Sequence, residues 1–185
     1  MSAIAFPVRD VSIVALTLEG QRDGAAWSGL LGDRPVRQVA IGGQSAGERS
    51  LSAARIDAAM LEANRQVLLV AQGAACAAAA WWARLSPRSY VERVAGALLI
   101  APAPVERGFA SPRSILPFPT LVLGATDTAQ ALSAEWGARL IDGPVPALER
   151  RATNRLQSMI LRFTGAIVER DEQQARRLLD MIGDS

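Results

Sequence analysis

The chain has 185 residues, half of them hydrophobic, with 18 acidic and 20 basic side chains; this fits one folded domain and excludes a disordered chain. Every basic residue is arginine and there is no histidine, so Schiff-base chemistry, a P-loop and a Ser-Lys dyad are excluded. A net charge of +2 with scattered arginines, clustered only briefly as at Arg150-Arg151 and Arg176-Arg177, gives no phosphate track, and nucleic acid is not an expected partner.

The single Cys76 allows no internal disulfide and no cysteine zinc cluster, so neither a structural metal nor a cofactor is expected. Met1 to Leu16 lacks a positive n-region, and Arg9 and Asp10 break its apolar run, so a signal peptide is not expected and the cytoplasm is the expected compartment. The longest apolar stretch, Val67 to Ala83, contains Gln72 and falls short of a membrane span.

In chain order, apolar runs predict strands at Val11 to Leu16 and Val36 to Ile41. A helix follows over Ser50 to Asn64, with Leu51, Ala54, Ala58 and Leu61 spaced to face the sheet. Ser45 and Ser50 stand where serines cap helices. A third strand, Gln66 to Ala71, leads into an alanine-rich helix, Ala74 to Leu85, whose Trp81 and Trp82 read as core or interface residues. A fourth strand spans Val94 to Ile100. Pro102, Pro104, Pro112, Pro117 and Pro119 then mark a loop expected to cross the C-terminal edge of the sheet.

Thr120 to Leu123 is a fifth strand, Ala129 to Trp136 a short helix and Ala138 to Ile141 a sixth strand, closed by Gly143, Pro144 and Pro146. The near-continuous apolar runs point to strands buried on both faces of a mainly parallel, doubly wound sheet of five to six strands. From Ala147 the texture becomes arginine- and glutamate-rich, predicting helices over about 148–168 and 171–182. Leu148, Ala152, Leu156, Met159, Ile160, Phe163 and Ile167 share one stripe of the first. That stripe either packs on its own domain or forms an association surface, so the expected division is 1–146 for the α/β domain and 147–185 for a helical extension.

The turn Val70-Ala71-Gln72-Gly73-Ala74-Ala75-Cys76 has the strand-turn-helix context in which α/β-hydrolases carry G-x-S-x-G, with a strained serine exposed beside backbone N–H groups. Gly73 takes the nucleophile position, Gln72 precedes it, and alanine replaces both flanking glycines. Cys76 lies inside the predicted helix and reads as a small core residue.

Most of the first 142 residues resemble the small serine hydrolases of the retinoblastoma-binding protein nine type. The resemblance rests on Trp27, on LLVAQGAAC at the elbow, on RVAGALLIAPAPVERG at 93–108, on LPFPTLVLGATD at 116–127 and on EWGARLID at 135–142. It implies a compact α/β-hydrolase fold without a large cap, and it places Asp127 where the family's acid stands. The family's glycine-rich loop after the first strand is here Ala15-Leu16-Thr17-Leu18-Glu19-Gly20, and its base, in a Gly-His context near Asp142, is here Gly143-Pro144.

Without nucleophile and base, the acyl-enzyme cannot form or discharge its protons. The expectation is a catalytically inactive relative that binds a partner protein or a small ligand. A remnant pocket would be lined by Leu16, Thr17, Gln72, Gly73, Ala74 and Asp127, with 102–119 as a cover, and the C-terminal helices would mediate a homodimer or a heterodimer. Asp127 is expected at a strand end, satisfied by backbone N–H groups. The alternative is carboxylate chemistry in which Asp127 works with Glu19 or Glu106 as acid and base.

Overall fold

The structure, a computed structural model, describes residues 11–20, 31, 35–103, 109–110 and 113–142. Six strands form one sheet: β1 (Ser12–Leu18), β2 (Val36–Ile41), β3 (Val67–Gln72), β4 (Val94–Ile100), β5 (Thr120–Leu123) and β6 (Arg139–Ile141). Their order is β2-β1-β3-β4-β5-β6, and every neighbouring pair is parallel. The expected doubly wound α/β architecture is present. β2, β4 and β5 keep the bounds read from the sequence, while β1 runs on to Leu18 and β3 to Gln72.

β3 is buried from Val67 to Ala71 and β4 along its whole length. Strands buried on both faces carry no polar alternation, which is why these runs are legible in the sequence.

Four helices complete the described elements: α1 (Ala46–Glu62), α2 (Ala75–Leu85), α3 (Arg88–Val91) and α4 (Asp127–Trp136). The right-handed crossovers from β2 to β3, β3 to β4 and β5 to β6 all move the same way along the sheet, so α1, α2 and α4 share one face. There Ile56 and Met60, the alanines and Trp82 of α2, and Leu132 and Trp136 meet Val14, Leu69, Leu99 and Val122. The small side chains of α2, buried from Ala75 to Ala80, let its backbone approach the sheet closely. Trp82 is fully buried, and its Nε1 donates to Asp57 Oδ1 at 2.8 Å, tying α2 to α1. Trp81 is partly buried against Phe109, with the ring centroids 5.2 Å apart.

The orientation of α1 corrects the sequence reading. Leu51, Ala54, Ala58 and Leu61 were expected on the sheet, yet Leu51 is 50 % and Leu61 58 % exposed, and the buried residues are Ser52, Ile56, Ala59 and Met60. The helix carries apolar residues on two sides, and the side with Ile56 and Met60 fills the core. Ser52 secures that choice: its Oγ accepts from Gly42 N at 2.9 Å and donates to Gly42 O at 2.7 Å. Ser45 is the N-cap of α1 in a capping box with Glu48, as its position predicted. Ser50 is no cap; it lies inside the helix and donates to Ala46 O at 3.1 Å.

The proline-rich connection leaves the C-terminal edge at Ala101 to Ala103 and drives Phe109 into the core beside Gly43 and Trp81. It returns along the helical face rather than across the edge alone, because Leu116 N donates to Trp136 O at the end of α4. Residues 143–185, and with them the expected C-terminal helices, lie outside the described residues. Among the described residues no helix is long and apolar enough to cross a membrane.

Candidate functional site

The strand order reverses between β1 and β3, and open parallel sheets take ligands at such a switch point, beyond the C-terminal ends of the strands. Glu19 and Gly20 follow β1 there, and Gly73 and Ala74 follow β3. Gly73 is left-handed, with φ +59. Its N–H donates to Ile100 O at 2.9 Å, and its carbonyl accepts from Cys76 N at 3.2 Å and Ala103 N at 3.3 Å. The turn is thus pinned from β4 and from α2. A Cβ built on Gly73 would meet nothing within 4 Å, so the space a nucleophile would occupy is open.

Ala74 precedes α2 as an N-cap without a capping side chain, and the first turn of α2 holds no acidic residue. Among the described residues none accepts from the N–H of Ala74 or Ala75, two donors at the positive end of the helix. Gln72 Oε1 is buried and likewise finds no donor among the described residues. An unsatisfied buried acceptor is costly, about 1–3 kcal/mol.

A second strained residue stands beside the elbow. Ala101, at the end of β4, has φ +43, a conformation that costs a non-glycine residue about 1–2 kcal/mol. It is held by its N–H, which donates to Leu123 O at 2.7 Å. Neither Ala101 nor the contact of Phe109 with Gly43 was legible in the sequence, since alanine carries no signal of left-handed backbone.

The expected site residues are only partly brought together. Gln72, Gly73 and Ala74 form the elbow. Leu16 is 1 % exposed inside the core, two residues before the end of β1, and it does not reach the rim because β1 is longer than expected; Thr17 is partly buried in the same strand. Asp127 is exposed in the first turn of α4, where a carboxylate favours the helix dipole. The strand-end role expected for it is filled by Thr126, whose side chain accepts from Ala129 N at 3.1 Å.

The carboxylates do not converge. β1 and β5 stand three strand spacings apart, roughly 14 Å, and Glu19 is paired with Arg55, which also donates to Ala40 O. Glu106 lies outside the described residues. Cys76 is the inert core residue expected: it is fully buried, and desolvation pushes its thiol from 9.0 to about 12.

Two further cavities, of about 620 and 310 Å³, lie along β2 and the N-terminal ends of β1 and β2, and neither touches Gly73 or Asp127. Both are lined by the ionic side chain of Arg37, which pairs with Glu62. Charged side chains along an edge strand discourage strand addition.

No curated protein matches the chain. A YdeN-like hydrolase of Pectobacterium atrosepticum has a similar crystal structure, with a TM-score of 0.63 at 16 % identity over 86 % of this chain and 93 % of that one; at that identity the likeness speaks for the fold. A family model described as serine hydrolase matches residues 27–147. Spanning more than half of the chain and enclosing the elbow at Gly73, that match places the chain in the serine hydrolase family, on an α/β-hydrolase-like fold.

Proposed function

We propose that this chain is a catalytically silent member of the serine hydrolase family, similar to the retinoblastoma-binding protein nine type, that binds a small polar ligand at the C-terminal edge of its sheet. The observation that carries the reading is Gly73, which keeps the left-handed backbone and open space of a nucleophile elbow but offers no hydroxyl. No histidine exists anywhere in the sequence to serve as base. A ligand with an acceptor for the Ala74 and Ala75 N–H groups and a donor for Gln72 Oε1 would satisfy all three. Amides and protonated carboxylic acids have that pattern.

Thermal-shift and ligand-observed NMR screening of small acids, esters and amides tests the proposal. The expected result is binding of an amide or acid, lost in Gln72→Leu, with ester substrates left intact. Esterase turnover by the wild-type chain that disappears in Gln72→Leu would overturn it, as would a screen with no binder.

A second reading, association with another protein or a second copy, is favoured by the outward stripe of Leu51 and Leu61 on α1. Light scattering on the wild-type chain and on Leu51→Glu/Leu61→Glu tests it; a monomer in both would remove it.

A further inference from the structure

The outer side of α1 is an apolar face that the described residues leave uncovered. Leu51 and Leu61 are 50 % and 58 % exposed, Ala54 is exposed and Ala58 half-buried. At about 3.6 residues per turn these four fall on one stripe, and none of them is charged. The charges at its margins are already engaged within the chain: Arg55 with Glu19, Glu62 with Arg37, and Asp57 with the indole of Trp82. Covering the stripe therefore leaves no charge buried without a partner.

The stripe reads the same from either end. Leu51 and Leu61 stand five residues before and after position 56, and Ala54 and Ala58 stand two before and after it. A two-fold contact lays a surface on a copy of itself, so that residue i meets j and j meets i. An antiparallel pair of α1 helices centred on position 56 sets Ala54 against the partner's Ala58 and Leu51 beside the partner's Leu61. The small alanines let the axes approach to about 8 Å, the close end of helix packing, and antiparallel helices oppose their dipoles.

A receptacle for Leu51 is already formed. A hollow of about 310 Å³ beside Ala58 is lined also by Arg37, Val39, Ala40 and Arg55. Leu51 lies four residues before Arg55 and so on the same side of the helix. A two-fold axis perpendicular to both helices keeps that side facing its own copy. Leu51 of each chain is thereby directed at the hollow of the other.

We propose that α1 pairs with α1 of a second copy, antiparallel about position 56, with Leu51 of each chain seated in the other's hollow beside Ala58. The inference rests on the association reading, to which it gives a partner and a geometry, and it is independent of what the elbow binds. α1 has 17 residues and is about 26 Å long. One helix face of that length covers less than the roughly 800 Å² per partner of a standard interface, so the dimer is weak and forms only as concentration rises.

Sedimentation velocity of the full chain from about 1 μM to 1 mM, with oxidative cross-linking alongside, is the test. The wild-type chain should pass from monomer to dimer across that range. Ala54→Glu should stay monomeric with an unchanged thermal midpoint, since Ala54 is exposed. A mixture of Ala54→Cys and Ala58→Cys chains should cross-link at least about tenfold faster than either alone, because like positions are offset by four residues, about 6 Å along the axis. Cys76 is buried and takes no part. Bridging within either single variant as fast as in the mixture would mark a parallel pair, and a dimer that survives in Ala54→Glu would mark another surface. Both results overturn the antiparallel pairing while leaving association in place. A monomer at every concentration would overturn the pairing and the association reading together.

Discussion

The ring of Phe109 occupies the place of a side chain at Gly43: a Cβ built there would lie 2.5 Å from Phe109 Cε2. Because Phe109 is also edge-on to Trp81, this one glycine seats the proline-rich connection in the crevice between α1 and α2. Gly43→Ala should displace the ring and cost about 1–3 kcal/mol of stability, as overpacking does. Denaturant melts should show that loss, with a change in tryptophan emission reporting the shifted Trp81.

Asp57 is the partner that allows Trp82 to be buried. Asp57→Leu should leave the indole N–H unsatisfied and destabilise by about 1–3 kcal/mol, while Asp57→Asn retains an acceptor and should cost clearly less. Urea melts of the two variants check the order; equal losses would mean that the bond from Trp82 Nε1 contributes little.

Ala101 predicts a gain rather than a loss. Glycine removes a left-handed penalty of about 1–2 kcal/mol but adds roughly 0.4–1 kcal/mol of unfolded-state freedom. The net expectation for Ala101→Gly is a stabilisation of about 0.5–1 kcal/mol, seen as a raised thermal midpoint. Conversely, Gly73→Ala meets no atom and should cost the left-handed strain of about 1–2 kcal/mol less the roughly 0.4–1 kcal/mol gained by restricting the unfolded chain, a net loss of about 0.5–1 kcal/mol.

The raised thiol of Cys76 has two consequences. It should stay unreactive toward a disulfide reagent in the folded protein and react fully only on unfolding. Its folded pKa of about 12 lies above the value of 9.0 for a free thiol, so above pH 9 the unfolded chain ionises while the native one stays neutral. The associated stability is complete below pH 9 and is lost as the pH rises from 9 toward 12. Cys76→Ala should flatten that decline in a pH series of denaturant melts.

Much of the fold was present in the sequence because its signals are local. Strands buried on both faces leave uninterrupted apolar runs, so Val36–Ile41, Val94–Ile100 and Thr120–Leu123 keep their predicted bounds. The missing histidine and the glycine at the elbow are likewise properties of the chain itself, independent of any packing.

Tertiary structure decided what periodicity leaves degenerate. On α1, the stripe through Leu51 and Leu61 and the one through Ile56 and Met60 are both helical and apolar. The second is buried because its side chains fill the space above β1 and β2 and because Ser52 meets the backbone of Gly42. The separation of Glu19 from Asp127 follows from the strand order, and the strain at Ala101 is held by its hydrogen bond to Leu123, more than twenty positions away. Composition and spacing record which residues can be buried; only the packed sheet determines which of them meet.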